Sequence, residues 1–315
     1  MRGVRSRRAL RSVREWLPRS LLLGLSIVGW GLFLSTLSIM LIAAISRPDR
    51  PLDPLGMDSY AYWLAGRRLL DGESLYIGSA IDQLGAYFYP PLFAQAWMPL
   101  AGIDLRVVDW AWKAVMLLSI RYMAQSWLMT GIWMLYPGTL TELSAGNVTF
   151  PLAALTVAGL RGRAEGVALA TLVKFSAAAV APYIWVHRPE ARRRLLLGAL
   201  LAGALVTLSL LMSPGLWQDY LDSLGSQGRL TLEGTDIIHI LPTAGADFAL
   251  RLVVALILVV VSVRLRSPHL AYIASLVATP TIWPSKLGLL LALVTLDDDS
   301  WVRAKMRRPR AGVRV

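Results

Sequence analysis

Residues 20–46 read SLLLGLSIVGWGLFLSTLSIMLIAAIS, without a single charged side chain. Wound as an α-helix at about 1.5 Å per residue, this run is long enough to cross a hydrocarbon core of about 30 Å. It offers no polar face to water, so the chain has to fold around a lipid bilayer. A basic region precedes the run, as in a secretory signal. The apolar part of a signal is only about 7–15 residues long, so the run reads as a retained span entering from the inside.

Charge supports the same reading. Only 17% of the 315 residues are charged and 56% are apolar, where a soluble chain carries about a quarter charged residues. The net charge of +12 is concentrated at the ends. The first nineteen residues hold seven Arg, and the last fifteen hold five Arg and Lys305. Basic segments flanking apolar runs follow the positive-inside pattern. Both termini are therefore expected in the cytoplasm and the chain in the plasma membrane, with membrane lipids as neighbours. No basic face with interleaved aromatics is present, so nucleic acid is not an expected partner. The absence of cysteine excludes disulfides and thiolate chemistry. His187, His239 and His269 are widely separated, so no metal is expected.

The pattern predicts an all-α, polytopic protein of about ten transmembrane helices. Basic tails are expected at 1–19 and 297–315, with the membrane domain at 20–296. The spans fall near 20–46, 88–103, 108–125, 127–143, 148–160, 166–186, 195–213, 247–264, 268–281 and 284–296. Outer loops are expected at 47–87 and 214–246, the first carrying a surface helix from Asp58 to Leu70. This arrangement puts Arg106, the basic cluster at 187–194, Arg264 and Arg266 inside, and leaves Arg47, Arg50, Arg67, Arg68, Arg161, Arg163 and Arg229 outside. Between 107 and 160, Arg121, Glu142 and Pro137-Gly138 interrupt the pattern. Short broken helices are expected there, packed against protein.

Polar residues in such a chain are candidates for chemistry, because placing them in lipid is costly. Asp58 opens the surface helix, either as its N-cap or as a general base on the outer face. Lys174 lies within an apolar span, and only four Lys occur in the chain; a phosphate is its natural counter-ion. Lys286 follows Pro280 and Pro284 in a segment that reads either as a plain interfacial turn or as part of an outer-face site. Glu142 needs a partner, for which Arg121 is a candidate. Asn147-Val148-Thr149 matches a glycosylation sequon but abuts a span.

Taken together, several segments resemble glycosyltransferase family 87, the polyprenyl-phosphate-mannose-dependent mannosyltransferases of GT-C architecture. These are DSYAYWLAGRRLLDGESLY from Asp58 to Tyr76, YFYPPL from Tyr87 to Leu92 leading to Pro99, and Gly146-Asn147 where the family has Gly-Gln. Lys174 stands in place of a Lys-Pro pair, and Pro280 to Trp283 resembles a late Pro-x-x-Trp motif. The resemblance covers roughly residues 20–296. Phe175 departs from the usual proline, and Lys286 lies near where a His is common. The resemblance implies a GT-C-like fold with a helical first outer loop and Asp58 as the catalytic base. It also implies a donor phosphate held by Lys174 and Lys286. Tyr62, Tyr89, Asn147 and Trp283, and His239 of the second outer loop, are then candidate substrate-binding residues.

The implied reaction transfers a hexose, mannose by resemblance, from a polyprenyl-phosphate donor to a glycolipid or glycan acceptor hydroxyl, with inversion. Phosphate is a good leaving group, so the paired carboxylates of hydrolases are not required. No Asp-x-Asp motif sits in an outer loop, and no cofactor beyond the lipid-linked donor is implied. A transporter or flippase of a lipid-linked sugar, or a non-catalytic membrane scaffold, is the alternative from another class.

Overall fold

The computed structural model describes residues 18–46, 56–76, 85–230, 244–279 and 284–296. All regular structure among them is helical. The chain order is α1 (Arg19–Ser46), α2 (Met57–Asp71), α3 (Pro91–Trp97), α4 (Leu105–Ala124), α5 (Trp127–Trp133), α6 (Pro137–Ala145) and α7 (Thr149–Leu160). There follow α8 (Glu165–Val173), α9 (Ala181–His187), α10 (Arg192–Met212), α11 (Pro214–Leu230), α12 (Ala244–Leu265), α13 (Pro268–Val277) and α14 (Leu293–Leu296). Short 3₁₀ segments extend α3, join α8 to α9, precede α10 and lead into α14.

Among the described residues, three helical stretches are long and apolar enough to cross a membrane: Arg19–Ser46, Pro189–Met212 and Ala246–Leu265. Their outer faces present Ile45, Leu200, Leu211 and Leu256, each at least 65% exposed. Apolar surface on that scale, along helices of spanning length, fits a lipid-facing surface. This is a helical membrane protein. A fourth span is possible if α6 and α7, bent by 109°, are taken as one.

Ten regular spans are not found among the described residues. The expected span at 88–103 breaks into seven-residue α3 and a 3₁₀ turn at Met98–Leu100. Pro90, Pro91 and Pro99 dictate this, since proline ends helices and removes a donor. α3 instead packs under α2, where Gly66 leaves room for the Trp97 backbone; an added Cβ would lie 2.8 Å from the Trp97 carbonyl. The expected span at 166–186 is broken at Lys174, whose backbone is extended (φ −138°, ψ 114°). The last expected span is a 3₁₀ run, Pro284–Ala292, ending in one turn of α14.

The short helices lie in the protein interior, where broken backbone can find partners. Met116, Ile120, Trp133, Phe150, Val157, Ile184 and Tyr272 form one buried cluster. A second, under α2, contains Tyr62, Leu75, Trp97, Val108 and Val148. The long helices pack at the edge through small residues, as membrane helices do. α1 meets α5 where a Cβ on Gly29 would fall 1.8 Å from the Gly131 carbonyl oxygen. α10 meets α8 at Gly198, against the Glu165 backbone.

α4 fixes the two ends of the molecule. Near its start, Asp109 accepts a 2.5 Å hydrogen bond from Ser59 of α2. Fourteen residues later, about 21 Å along a helix, the Met123 carbonyl accepts from Arg161. Arg161 also donates to the Thr295 carbonyl at 3.2 Å. Arg161 therefore lies at the end opposite Asp58, and Arg106, three residues before Asp109, lies at the Asp58 end. Both placements reverse the sequence-based sides. The error follows from counting 88–103 as a crossing.

Candidate functional site

The site forms where α2 docks on the bend between α6 and α7. Gly146 ends α6 with φ 77°, a conformation glycine adopts without strain. A Cβ there would lie 2.6 Å from Ser59 Oγ, so the same glycine lets α2 approach. Backbone groups freed at the bend find partners across it. Trp112 Nε1 donates to the Gly146 carbonyl at 2.7 Å, the Val148 amide donates to Tyr62 Oη at 3.2 Å, and the Gly56 amide donates to the Ser144 carbonyl at 2.7 Å.

Asp58 lies in the first turn of α2, but it is not the cap. Gly56 occupies that position with φ 71°, and no side chain caps the helix. The Asp58 carboxylate instead accepts a 2.8 Å hydrogen bond from Asn147 Nδ2. Asn147 is held in turn by Thr149, whose amide and hydroxyl donate to Asn147 Oδ1 at 3.0 and 2.5 Å. Burial, reinforced by the nearby Glu142 charge, pushes the Asp58 carboxyl up to about 6 from its ordinary 3.8. Asn147, Lys174 and Lys286 act in the opposite sense and keep the shift from being larger.

Tyr62 and Tyr89 line one flank. Tyr62 Oη donates to Tyr89 Oη at 3.1 Å, and the rings meet edge to face at 5.2 Å. Lys174 leaves the break after α8 with its Nζ 5.4 Å from the centre of the Tyr89 ring, a cation–π contact. Lys286 comes from the opposite 3₁₀ run.

The two lysines border a cavity of about 230 Å³. Thr149, Leu152, Ala153 and Thr156 form one side of it, at i, i+3, i+4 and i+7 along α7. Tyr272, Leu276, Leu287 and Leu290 are among the residues opposite. Leu287 and Leu290 are also 43% and 40% exposed, so the cavity borders the lipid-facing surface. It combines an apolar interior with cations at one end.

Glu142 is 6% exposed and accepts a 2.5 Å hydrogen bond from Ser285 on its Oε1. Its expected partner Arg121 lies elsewhere, with its guanidinium 5.3 Å from the Trp127 ring centre. Arg121 closes α4 at the far end, away from α6. The cations facing Glu142 are Lys174 and Lys286.

Asp58, Lys174, Lys286, Tyr62, Tyr89 and Asn147 thus come together from five separate segments. Trp283 and His239 lie outside the described residues. Sequence reasoning missed the support beneath α2, where Lys113 pairs with Asp109, which also accepts from Ser59. Its signal was available as an acid and a Lys at i,i+4 inside an otherwise apolar helix. The chain matches no family model, no curated protein and no solved structure.

Proposed function

We propose that this protein is a membrane glycosyltransferase that moves a hexose, mannose by its resemblance to family 87, from a polyprenyl-phosphate donor to an acceptor hydroxyl. One observation carries the reading: the Asp58 carboxyl, raised to about 6, faces two lysines that border an apolar cavity. Those are the parts the reaction needs. An isoprenoid chain requires an apolar slot, a phosphodiester requires cations, and an attacking hydroxyl requires a base.

In this reading the acceptor oxygen attacks the anomeric carbon from the face opposite the phosphate. A carbon–oxygen bond to the acceptor forms as the bond to phosphate breaks, and the acceptor proton passes to Asp58. The leaving polyprenyl phosphate gains one negative charge. Lys174 and Lys286 offset that charge where it develops. Asn147 aims the carboxylate. A single displacement inverts the anomeric configuration.

The test is incubation of membranes containing the protein with labelled polyprenyl-phosphate hexoses and pentoses. Label should move from the mannosyl donor into a glycolipid or glycan; no transfer from any donor refutes the reading. The pH profile adds a sign. Asp58 acts as base only when ionised, so kcat/KM should fall about tenfold per pH unit below about 6 and level off above it. A profile flat from pH 5 to 8 would remove Asp58 from that role.

The Asp58 end of the molecule is proposed to face outward, with the termini inside the cytoplasm. Placing Arg161 at the opposite end strengthens the positive-inside bias. The chain has no cysteine, so single cysteines report cleanly. In intact cells an impermeant reagent should label Glu73→Cys, and should label Arg163→Cys only after permeabilisation. The reverse pattern inverts the model.

A further inference from the structure

Glu142 is an acidic side chain of the site that the proposed chemistry leaves unused, and its surroundings are costly for a carboxylate. It is 6% exposed. It lies in the last turn of α6, where its own carbonyl accepts from the Gly146 and Asn147 amides at 3.2 Å. The negative end of the helix dipole disfavours an acid there. Asp58 is close enough for the two like charges to interact. Only one carboxylate oxygen, Oε1, is hydrogen-bonded, by Ser285. Oε2 is buried and has no hydrogen-bond partner among the described residues.

A buried acceptor left open costs stability that a well-packed apolar residue would not. Charge balance with Lys174 and Lys286 accounts for an acid somewhere in the site, but not for an oxygen held open beside the bend that carries Asn147. Ser285 holds Oε1 and so fixes where Oε2 points. The group that complements such an oxygen is a hydroxyl donor brought in by a substrate.

We propose that Glu142 Oε2 accepts a hydrogen bond from a ring hydroxyl of the sugar being transferred, which makes Glu142 a determinant of donor-sugar specificity. This rests on the glycosyltransferase reading. In that reading the donor's phosphate lies at the two lysines and its anomeric carbon faces Asp58, so Glu142, which faces all three, borders the sugar ring. Glu142 takes no proton in the reaction; it orients and selects.

The experiment is a cycle of protein and donor variants. Native protein, Glu142→Gln and Ser285→Ala are assayed with short-chain polyprenyl-phosphate mannose and with its four monodeoxy derivatives, lacking the hydroxyl at C2, C3, C4 or C6. For native protein, one derivative should lose about ten- to hundredfold in kcat/KM, because a site built to bond a hydroxyl rejects the analogue without it. Glu142→Gln should lose a similar factor with the parent donor and almost nothing further with that same derivative. Ser285→Ala keeps the carboxylate but frees it, so it should show a smaller loss with the same dependence on that hydroxyl. It remains informative if Glu142→Gln fails to fold.

An equal loss across all donors, for either variant, would overturn the proposal. Tighter donor binding by Glu142→Gln would do the same, since it marks a counter-ion to the lysines. A loss above about a thousandfold with every donor would make Glu142 the base instead. No transfer by the native protein from any donor would overturn the glycosyltransferase reading, and this proposal with it.

Discussion

Asp58→Asn is expected to reduce turnover by about 10²–10⁴, the usual worth of a positioned general base, while donor binding is retained. The replacement keeps the size of the side chain. Its Oδ1 can still accept from Asn147 Nδ2, which bonds Asp58 Oδ2 at 2.8 Å in the native protein. Asp58 is not the helix cap, so no cap is lost. The sign of the stability effect follows from the raised carboxyl. A folded-state value of about 6, above the ordinary 3.8, means that folding favours the protonated form. That contribution is present at low pH and fades as pH rises through about 6. At pH 7 the neutral amide should therefore fold at least as well as the ionised acid. Single-turnover assays and thermal unfolding in detergent measure the two effects separately. An Asn variant that retains near-native turnover would return Asp58 to a structural role, and Asp71 would be tested next.

Lys174→Met is expected to weaken donor binding by about ten- to hundredfold, the equivalent of about 1.5–3 kcal/mol for a charge-assisted contact to phosphate. Methionine is unbranched and fills irregular gaps, so the break after α8 should hold its shape. A second, coupled effect has a definite direction. Lys174 lowers the Asp58 carboxyl, so its removal should move the acidic limb of the pH profile to higher pH. An unchanged donor KM together with an unshifted limb would mean that Lys174 only supports Tyr89.

Much of the site was legible in the sequence because polar side chains stand out against an apolar background. Asp58, Lys174, Lys286 and Asn147 are conspicuous in that way, and the structure draws them together. Their partners were less legible. Arg121 is the nearest cation to Glu142 on an adjoining segment, but α4 and α6 run so that Arg121 closes the far end. Lys286, 144 residues later in the chain, faces Glu142 instead, together with Lys174. The long apolar spans were read correctly from length and charge. The broken segments were not, because hydropathy averages over a window and does not register where a helix stops. Prolines at 90, 91 and 99 gave warning in one case. At Lys174 the break comes from an extended backbone within an apolar run that holds no proline or glycine to mark it.

The bend at residues 146–148 sets a limit on chain length. An α-helix turns by about 100° per residue, and one stripe of α7, from Thr149 to Thr156, faces the cavity. A single residue inserted between Ala145 and Thr149 would rotate that stripe away and bring a different face of α7 to the lysines. It would also pull Asn147 off Asp58, with Trp112, Tyr62 and Ser144 already bonded to fixed points on either side. Side chains along the outer surfaces of α1 and α10 can be exchanged for others of similar hydrophobicity with little consequence. The spacing across this three-residue joint cannot change by even one residue without dismantling the site.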